Sequence, residues 1–501
     1  MSEQASRNEE SPSPPPVLEV AGSQPTPEAN GPGGVSANAS SAAPGGAAAG
    51  QPRFHRADRD VIVPAMKLDL LIESDHPARA VWRFVEGLDL SVLYGRIRAR
   101  EHTRGRSPID PRILVALWLY AILYGVLSAR RLAELSTHHN AFRWLAGGVS
   151  VNHHTLADFL VADVAFVEQL LKYSLDVLAK ENLVDLQRVG QDGMRVRASA
   201  GAASFHRQAT LERIIKDAEA KLQKLQQQAQ TQLQEPQQQV DDSTESKTEQ
   251  EVPPDGNPPS GQPDAPTAAQ RAAQKRAAEE AIERAKQALA RLPEMEAKKD
   301  AEQKDKARVS STDPEATVMK MPDGGYRPAY NVQFSTTCDN KIIVGVDVVT
   351  VGSDQGQLPP MLDQVEARLG ERPKEALVDG GFVKHEDIGR VQAPEGEKAG
   401  CKVYAPVPKP KKETVDRHAP HAGDSAEVAE WRKRMGTDEA KEIYRERAAT
   451  AELANAQARN RGLIRLLVRG LQKVKAIVLW FAVVHNMARG FALLSAEPVA
   501  A

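Results

Sequence analysis

The pattern of apolar and polar positions divides the chain into stretches of different texture. Residues 1 to about 55 are rich in Pro, Gly, Ser and Ala, with hardly a large apolar side chain. Such a stretch buries too little to offset its chain entropy, so a disordered tail is expected over residues 1–57. From Asp58 onward, Val61, Ile62, Leu68, Leu70, Val81, Phe84, Val85, Leu88 and Leu93 supply apolar faces at helical spacing. Asp110-Pro111 is a good helix start, because Asp can cap and Pro fits the first turn, and the helix then runs through Ile113 and Tyr120 to Gly125. A second helix begins at Ser128 and carries Leu132, Leu135, Phe142 and Trp144. An all-helical domain over residues 58–165 is the expectation. An amphipathic helix from Phe166 to Glu181 then delivers the chain to an extended run, Gln187 to Arg197, in which a strand is expected to end on Asp192 and meet Gly193.

Beyond that strand Leu211, Ile215, Ala218, Leu222, Leu225 and Ala229 form an apolar seam suited to a coiled coil, and Pro236 ends it. An acidic, Pro- and Gln-rich stretch to about Pro266 is too polar to fold. A second helix follows from Ala268 to Leu292, with Ala278, Ile282, Ala285 and Leu289 on its apolar face. Residues 208–310 therefore read as an inserted coiled-coil hairpin with a disordered linker, the plain reading being an insertion tolerated at a loop. Order resumes at Ser311. Tyr330–Ser335 and Ile342–Thr350 are β-rich runs around the hairpin-like Cys338-Asp-Asn-Lys341. A helix from Leu358 to Leu369, a strand Glu375–Asp379, a helix near His385–Val391 and a strand Cys401–Val407 complete an α/β layout with a mixed sheet, assigned to residues 166–207 and 311–490. Residues 491–501 are a tail.

Composition narrows the class. The chain has 501 residues, enough for more than one folded unit, and a formal net charge of −2 that hides local asymmetry. Only Cys338 and Cys401 are present, without metal-ligand spacing, which excludes a zinc ribbon or disulfide scaffold and fits a reducing, cytoplasmic setting. The N-terminus lacks a basic region followed by an apolar stretch, so no secretory signal is expected. The apolar runs Ile113–Leu127 and Ala476–Val484 are shorter than the ~20 residues that span a bilayer and read as buried helices, so no membrane segment is expected.

The candidate chemistry is acidic. Asp192 and Asp379 each follow an apolar strand and precede glycine, and carboxylates at strand ends of one sheet can converge on a hard cation. Asp-Gly is also an ordinary turn dipeptide. A third ligand is sought on the helix expected from Trp431 to Arg459, where most acids lie among opposite charges but Glu452 stands beside small residues. On one regular helix Arg445 and Arg459, seven residues to either side, would share the face of Glu452. Residues 431–475 hold twelve Lys and Arg against five acids, and Arg461, Arg465, Arg469 and Lys473 recur every four residues. A basic stripe beside a metal site suits a polyanion. Residues 51–160 carry a net +4, with Arg96, Arg98, Arg100, Arg104 and Arg106 clustered where they meet either phosphate or solvent.

Gly190-Gln-Asp192-Gly, the strand beginning Tyr330-Asn-Val-Gln, Ser353-Asp354, Val378-Asp-Gly-Gly-Phe382, Tyr444-x2-Arg447-x4-Glu452-x6-Arg459, Arg469-Gly-Leu471 and His485-Asn486 together resemble DDE transposases of bacterial insertion sequences. Asp110-Pro-Arg112, Tyr120-x3-Tyr124-Gly125, Ser128-x-Arg130-Arg131-Leu132 and Phe142-Arg-Trp-Leu145 resemble the helical domain of the subgroup with a long insertion after the first catalytic Asp. The resemblance covers about residues 58 to 490. It departs from the usual pattern in having Arg459 where Lys is common and one extra residue between Arg447 and Glu452, which leaves Glu446 as an alternative third ligand. The resemblance implies an RNase H-like catalytic domain in which Asp192, Asp379 and Glu452 bind two Mg²⁺ or Mn²⁺ ions. It implies that Tyr444, Arg447 and Arg459 position the phosphate, and that the helical domain with Arg96–Arg106 binds terminal inverted repeats. Double-stranded DNA is the implied partner, a homodimer is expected on paired ends, and the bacterial nucleoid is the expected setting. A catalytically silent, transposase-derived DNA-binding protein and a metal-dependent nuclease without strand transfer remain open.

Overall fold

The computed structural model describes residues 55–59, 62–63, 66–99, 107–234, 267–393, 400–410 and 416–495. The expected N-terminal tail, apart from its last three residues, most of the linker between the insertion helices, Pro236 included, and Arg100, Arg104 and Arg106 lie outside the described residues.

After two short strands, β1 (Ile62–Val63) and β2 (Met66–Lys67), the helical region comprises α1 (Pro77–Glu86), α2 (Ser91–Gly95), α3 (Pro111–Leu123), α4 (Ala129–His138), α5 (Asn140–Ala146), α6 (His153–Val161) and α7 (Val164–Lys180). The expected start of α3 is observed. The Asp110 carboxylate accepts from the Arg112 N–H at 2.9 Å and from the Tyr94 hydroxyl at 2.6 Å, and Pro111 occupies the first turn. A helix apolar on every side must be enclosed, and α3 is buried from Ile113 to Ile122, with the Trp118 indole donating to Leu156 O at 3.0 Å. Ser128 caps α4 as expected. The chain then reverses at Gly147, whose φ of 60° suits glycine and where a Cβ would stand 2.9 Å from Ala57 Cα.

The mixed sheet is built from β3 (Arg188–Arg197) and a set of strands that follows the insertion. Two-residue strands β4 (Phe205–His206) and β5 (Val309–Ser310) pair antiparallel at the root of the insertion. Its arms are α8 (Gln208–Gln234) and α9 (Ala268–Ala297); Leu211, early in α8, packs with Ala288 and Leu292, late in α9, so the arms run antiparallel. The second arm continues past Leu292 and through Pro293, because Met295 joins the same small apolar cluster. The sheet resumes with β6 (Thr317–Lys320), β7 (Tyr326–Thr337), β8 (Ile343–Val349), β9 (Glu375–Leu377) and β10 (Lys402–Tyr404). Its order is β10-β9-β3-β7-β6, with β8 on the same edge of β7 as β6. Strand β7 runs antiparallel to both of its neighbours β3 and β8, whereas β9 and β10 run parallel to β3.

Helices α10 (Leu358–Leu369), α11 (His385–Gln392), α12 (Ala426–Met435), α13 (Asp438–Arg447), α14 (Leu453–Asn460) and α15 (Leu471–Ser495) flank the sheet. One continuous core joins the helical region to the sheet: Trp118 and Leu156 belong to the same buried cluster as Val189, Tyr330, Val346, Trp480 and Phe481. The shared element is α15. By length and composition it alone among the described residues is apolar enough to cross a membrane, and it is largely buried as a core helix. Trp480 donates to Leu160 O at 3.1 Å, and Asn486 closes the start of β8 by accepting from Ile343 N at 2.9 Å and donating to Ile343 O at 2.8 Å. Burial drives the neighbouring His485 down to about 4, so it stays a neutral ring against Lys341 O at 2.7 Å.

Asn486→Ala leaves one buried N–H and one buried carbonyl without their partner. The expected cost is roughly 2–4 kcal/mol, read as a lower urea midpoint at unchanged slope.

Candidate active site

Asp192 sits within a strand and not at its end: β3 continues to Arg197 because its partner β7 pairs with it all the way to Ala329. What stops near Asp192 is the other neighbour. The parallel ladder of β3 with β9 matches Arg188 to Glu375 and Gly190 to Leu377, then ends. The same register carried two residues further sets Asp192 opposite Asp379. The long sequence separation between the two acids is thus the pairing register itself.

Asp379 lies beyond the strand, as the cap of a short turn, Gly380–Phe382, and accepts from Gly381 N at 2.8 Å. Its side chain is 41% exposed, against 19% for Asp192. The Arg447 guanidinium stands between them, with Nη2 3.3 Å from Asp192 Oδ1 and 3.8 Å from Asp379 Oδ2. Asn455 Nδ2 donates to the other Asp192 oxygen at 3.0 Å. Burial raises the Asp192 carboxyl to about 6; Arg447 pulls it down and the charge of Asp379 pushes it up again. Tyr444 belongs to the same cluster: burial raises its hydroxyl, Arg447 opposes that, and both carboxylates add to it.

The long helix expected from Trp431 to Arg459 is broken. It divides into α12, α13, a π-helical segment Ala448–Glu452 and α14. The wider π turn changes the angular phase, and such turns recur at functional sites. Its buried Thr450 and Ala451 press on β3 at Gly190, where a Cβ would meet Thr450 Cγ2 at 3.1 Å. Arg447, the last residue of α13, is the arginine that faces the aspartates. Arg445, expected on the face of Glu452, is exposed and paired with Glu442.

Glu452 closes the π segment, between Arg447 and Asn455 in sequence, and is exposed. Among the described residues it makes no hydrogen bond or ion pair, and no three His, Cys, Asp or Glu side chains stand together as a metal-holding group. The structure therefore brings Asp192 and Asp379 together around a cation and leaves Glu452 outside that cluster. The alternative acid, Glu446, is engaged elsewhere, at 2.6 Å from Arg188. An acidic pair that already accommodates a guanidinium fits a hard divalent cation in its donor chemistry.

The basic residues fall into two groups. Arg459, Arg465 and Arg469 are exposed, whereas Arg461 is half-buried and donates to Gln457 at 3.3 Å. The four-residue recurrence does not make a helical stripe, because residues 461–470 form an irregular strap. It is tied to the end of β3 by Arg197 N to Ile464 O at 3.2 Å and Leu466 N to Arg197 O at 2.8 Å. Arg469 donates to Ser199 O at 3.2 Å. In the helical region Arg96 pairs with Asp163, the cap of α7, and Arg98 is exposed.

Two further residues support the site, and local sequence assigns a role to neither. Asn455 was hidden in a run of small residues, where a lone amide on a helix carries no signal until its partner is known. Asp354 was visible only within a motif; it is buried and hydrogen-bonded to Asn331 and Gln333 beneath Gly193.

With its folded pKa raised above the ordinary carboxylate value, Asp192 stabilises the metal-free chain only at low pH, and that contribution is lost as pH rises from about 4 through about 6. Asp192→Asn is therefore expected to stabilise the chain at pH 7.5, by on the order of 1–3 kcal/mol, and to matter less at pH 5. Denaturation with EDTA present at the two pH values checks this.

Residues 66–161 match the family described as Transposase domain (DUF772), and residues 399–491 match the family described as Transposase DDE domain. No curated protein and no solved structure matches the chain.

Proposed function

We propose that this chain, a DDE transposase of an insertion sequence, cuts DNA at the element's ends and joins the freed ends to target DNA by metal-dependent phosphoryl transfer. The observation that carries the reading is the meeting of Asp192 and Asp379 around Arg447 at the sheet position where the β3–β9 ladder ends. Apart from the short edge strand β6, the strand order supports an RNase H-like fold: β3, β7 and β8 alternate in direction, β9 and β10 run parallel to β3, the first acid is on β3 and the second follows β9. In domain terms, residues 58–165 would bind DNA, 166–207 with 311–490 would catalyse, and 208–310 are an insertion.

Asp192, Asp379 and Glu452 would hold Mg²⁺ or Mn²⁺. Bound there, a pair of such ions supplies Lewis-acid activation of the attacking hydroxyl and charge stabilisation of the leaving oxygen. The chain's own residues do the rest. Asn455 holds one oxygen of Asp192, while the other accepts from Gly193 N at 2.9 Å and faces Arg447 at 3.3 Å. Arg447 neutralises the two aspartates and carries guanidinium N–H groups suited to a phosphate oxygen. Tyr444 adds a half-buried hydroxyl on the same helix. Glu452, exposed at the end of the π turn, would have to turn towards the two aspartates to serve as the third ligand. Arg459, Arg461, Arg465 and Arg469, with Arg96 and Arg98, provide the phosphate contacts, and a homodimer would hold two ends.

Asp192→Asn and Asp379→Asn are expected to abolish cleavage of linear DNA carrying the element's ends in Mg²⁺ while leaving binding to that DNA largely intact. Full activity in either variant would refute the assignment, and DNA binding without metal-dependent cleavage in the native chain would favour the silent DNA-binding protein. Replacing Arg465 and Arg469 together with Ala should weaken binding across all sequences and reduce the slope of log affinity against log salt by about 2, as measured by titration at several salt concentrations.

A further inference from the structure

The β3–β9 ladder stops two residues short of both aspartates, at Gly190 and Leu377, so although Asp192 stays paired with β7 no ladder fixes the spacing between the two acids. A site that needs its ligands held to ~0.5 Å requires another brace. The loop 352–357, between β8 and α10, spans that gap. Toward β3, Arg195 Nη2 donates to Gly352 O at 2.7 Å, and Gln191 Nε2 donates to Gln357 O at 3.1 Å. Toward the Asp379 segment, Gln355 Nε2 donates to Val383 O at 3.1 Å, and Gly356 N donates to Asp387 Oδ2 at 2.9 Å.

Asp354 is the centre of this brace. It is 8% exposed, and its Oδ1 accepts from Asn331 Nδ2 at 2.8 Å and Gln333 Nε2 at 2.7 Å, both on β7. Its Oδ2 lies 3.7 Å from the Arg195 guanidinium. Gly193 makes room for it, and the nearest atom to a side chain at Gly381 belongs to Asp379 itself. A Cβ at Gly193 would stand 2.1 Å from Asp354 Oδ1, and one at Gly381 would stand 3.7 Å from Asp354 Oδ2 and 2.9 Å from Asp379 Oδ1. Asp354 thus lies directly against Gly193, the residue after the first acid, and its loop is bonded to the segment after the second acid through Gln355 and Gly356.

We propose that Asp354 is a positioning residue that sets the spacing of Asp192 and Asp379, and so their joint affinity for a divalent cation. The proposal rests on the reading of those two acids as metal ligands. A carboxylate suits the place because its three polar neighbours, Asn331, Gln333 and Arg195, all present donors, and a buried charge needs such partners. Its effect reaches the site through β3 on one side and the 379–383 turn on the other.

The test uses Mn²⁺ binding to the full chain without DNA, followed by electron paramagnetic resonance, together with amide hydrogen exchange. The native chain is expected to bind Mn²⁺ and Asp192→Asn to lose that binding. Asp354→Ala is expected to weaken it about 10–100-fold, the range for residues that orient metal ligands. Exchange in residues 379–387 should speed up in the same variant while α15 keeps its protection. Asp354→Asn keeps an acceptor for Asn331 and Gln333 but turns a donor toward Arg195, so it should fall between the two. A folded Asp354→Ala chain with native Mn²⁺ affinity and native exchange overturns the proposal. If that variant does not fold, native values in Asp354→Asn overturn it equally. A native chain that binds no Mn²⁺, or an Asp192→Asn chain that still does, overturns the reading of the acids themselves, and the positioning role falls with it.

Discussion

The arrangement depends on one short parallel ladder. Three residues of β9 pair with three of β3, and this register alone sets Asp192 against Asp379. Parallel strands require a long crossover, so acids far apart in the chain become neighbours only after β7, β8 and α10 have been laid down between them. Because the ladder stops before it reaches the acids, their side chains emerge where the sheet opens. That opening gives a cation or a phosphate access to both.

Opening the sheet carries an electrostatic cost. Asp192 is mostly buried and faces a second carboxylate, which raises its pKa. Arg447, the last residue of α13 before the π segment, offsets part of this. The same segment places Thr450 on Gly190 and Asn455 on Asp192. Backbone irregularity and charge compensation therefore meet at Asp192. A regular helix would turn Arg447 and Asn455 out of their shared position over β3.

Helix α15 explains why the helical region and the sheet behave as one body. Its apolar residues face α7 on one side and β8 on the other, and Asn486 replaces a missing strand partner at the sheet edge. The insertion is the opposite case. Its arms bury a small cluster of their own around Leu211, Ala288 and Leu292, and they join the sheet through the two-residue pair β4–β5. Little of the core depends on it, which is why a long insertion is tolerated between the first strand and the rest of the sheet.

Local chemistry made much of this legible in the sequence. The Asp110-Pro111 and Ser128 caps, the fully apolar α3, the hairpin around Cys338–Lys341 and the helix Leu358–Leu369 each follow from side chains within a few residues of one another. The two strand-Asp-Gly settings were also visible, although β3 runs on through Asp192. Only the tertiary structure decided the contacts at the site. It gave the register that joins Asp192 to Asp379, the π turn that left Arg445 on the outside, the irregular strap that carries Arg461 to Arg469, and the commitment of Glu446 to Arg188. The brace through Asp354 belongs to the same class. Periodicity and capping report what a residue does with its chain neighbours, whereas a buried charge or a change of helical phase is set by partners on other elements, and no local pattern encodes them.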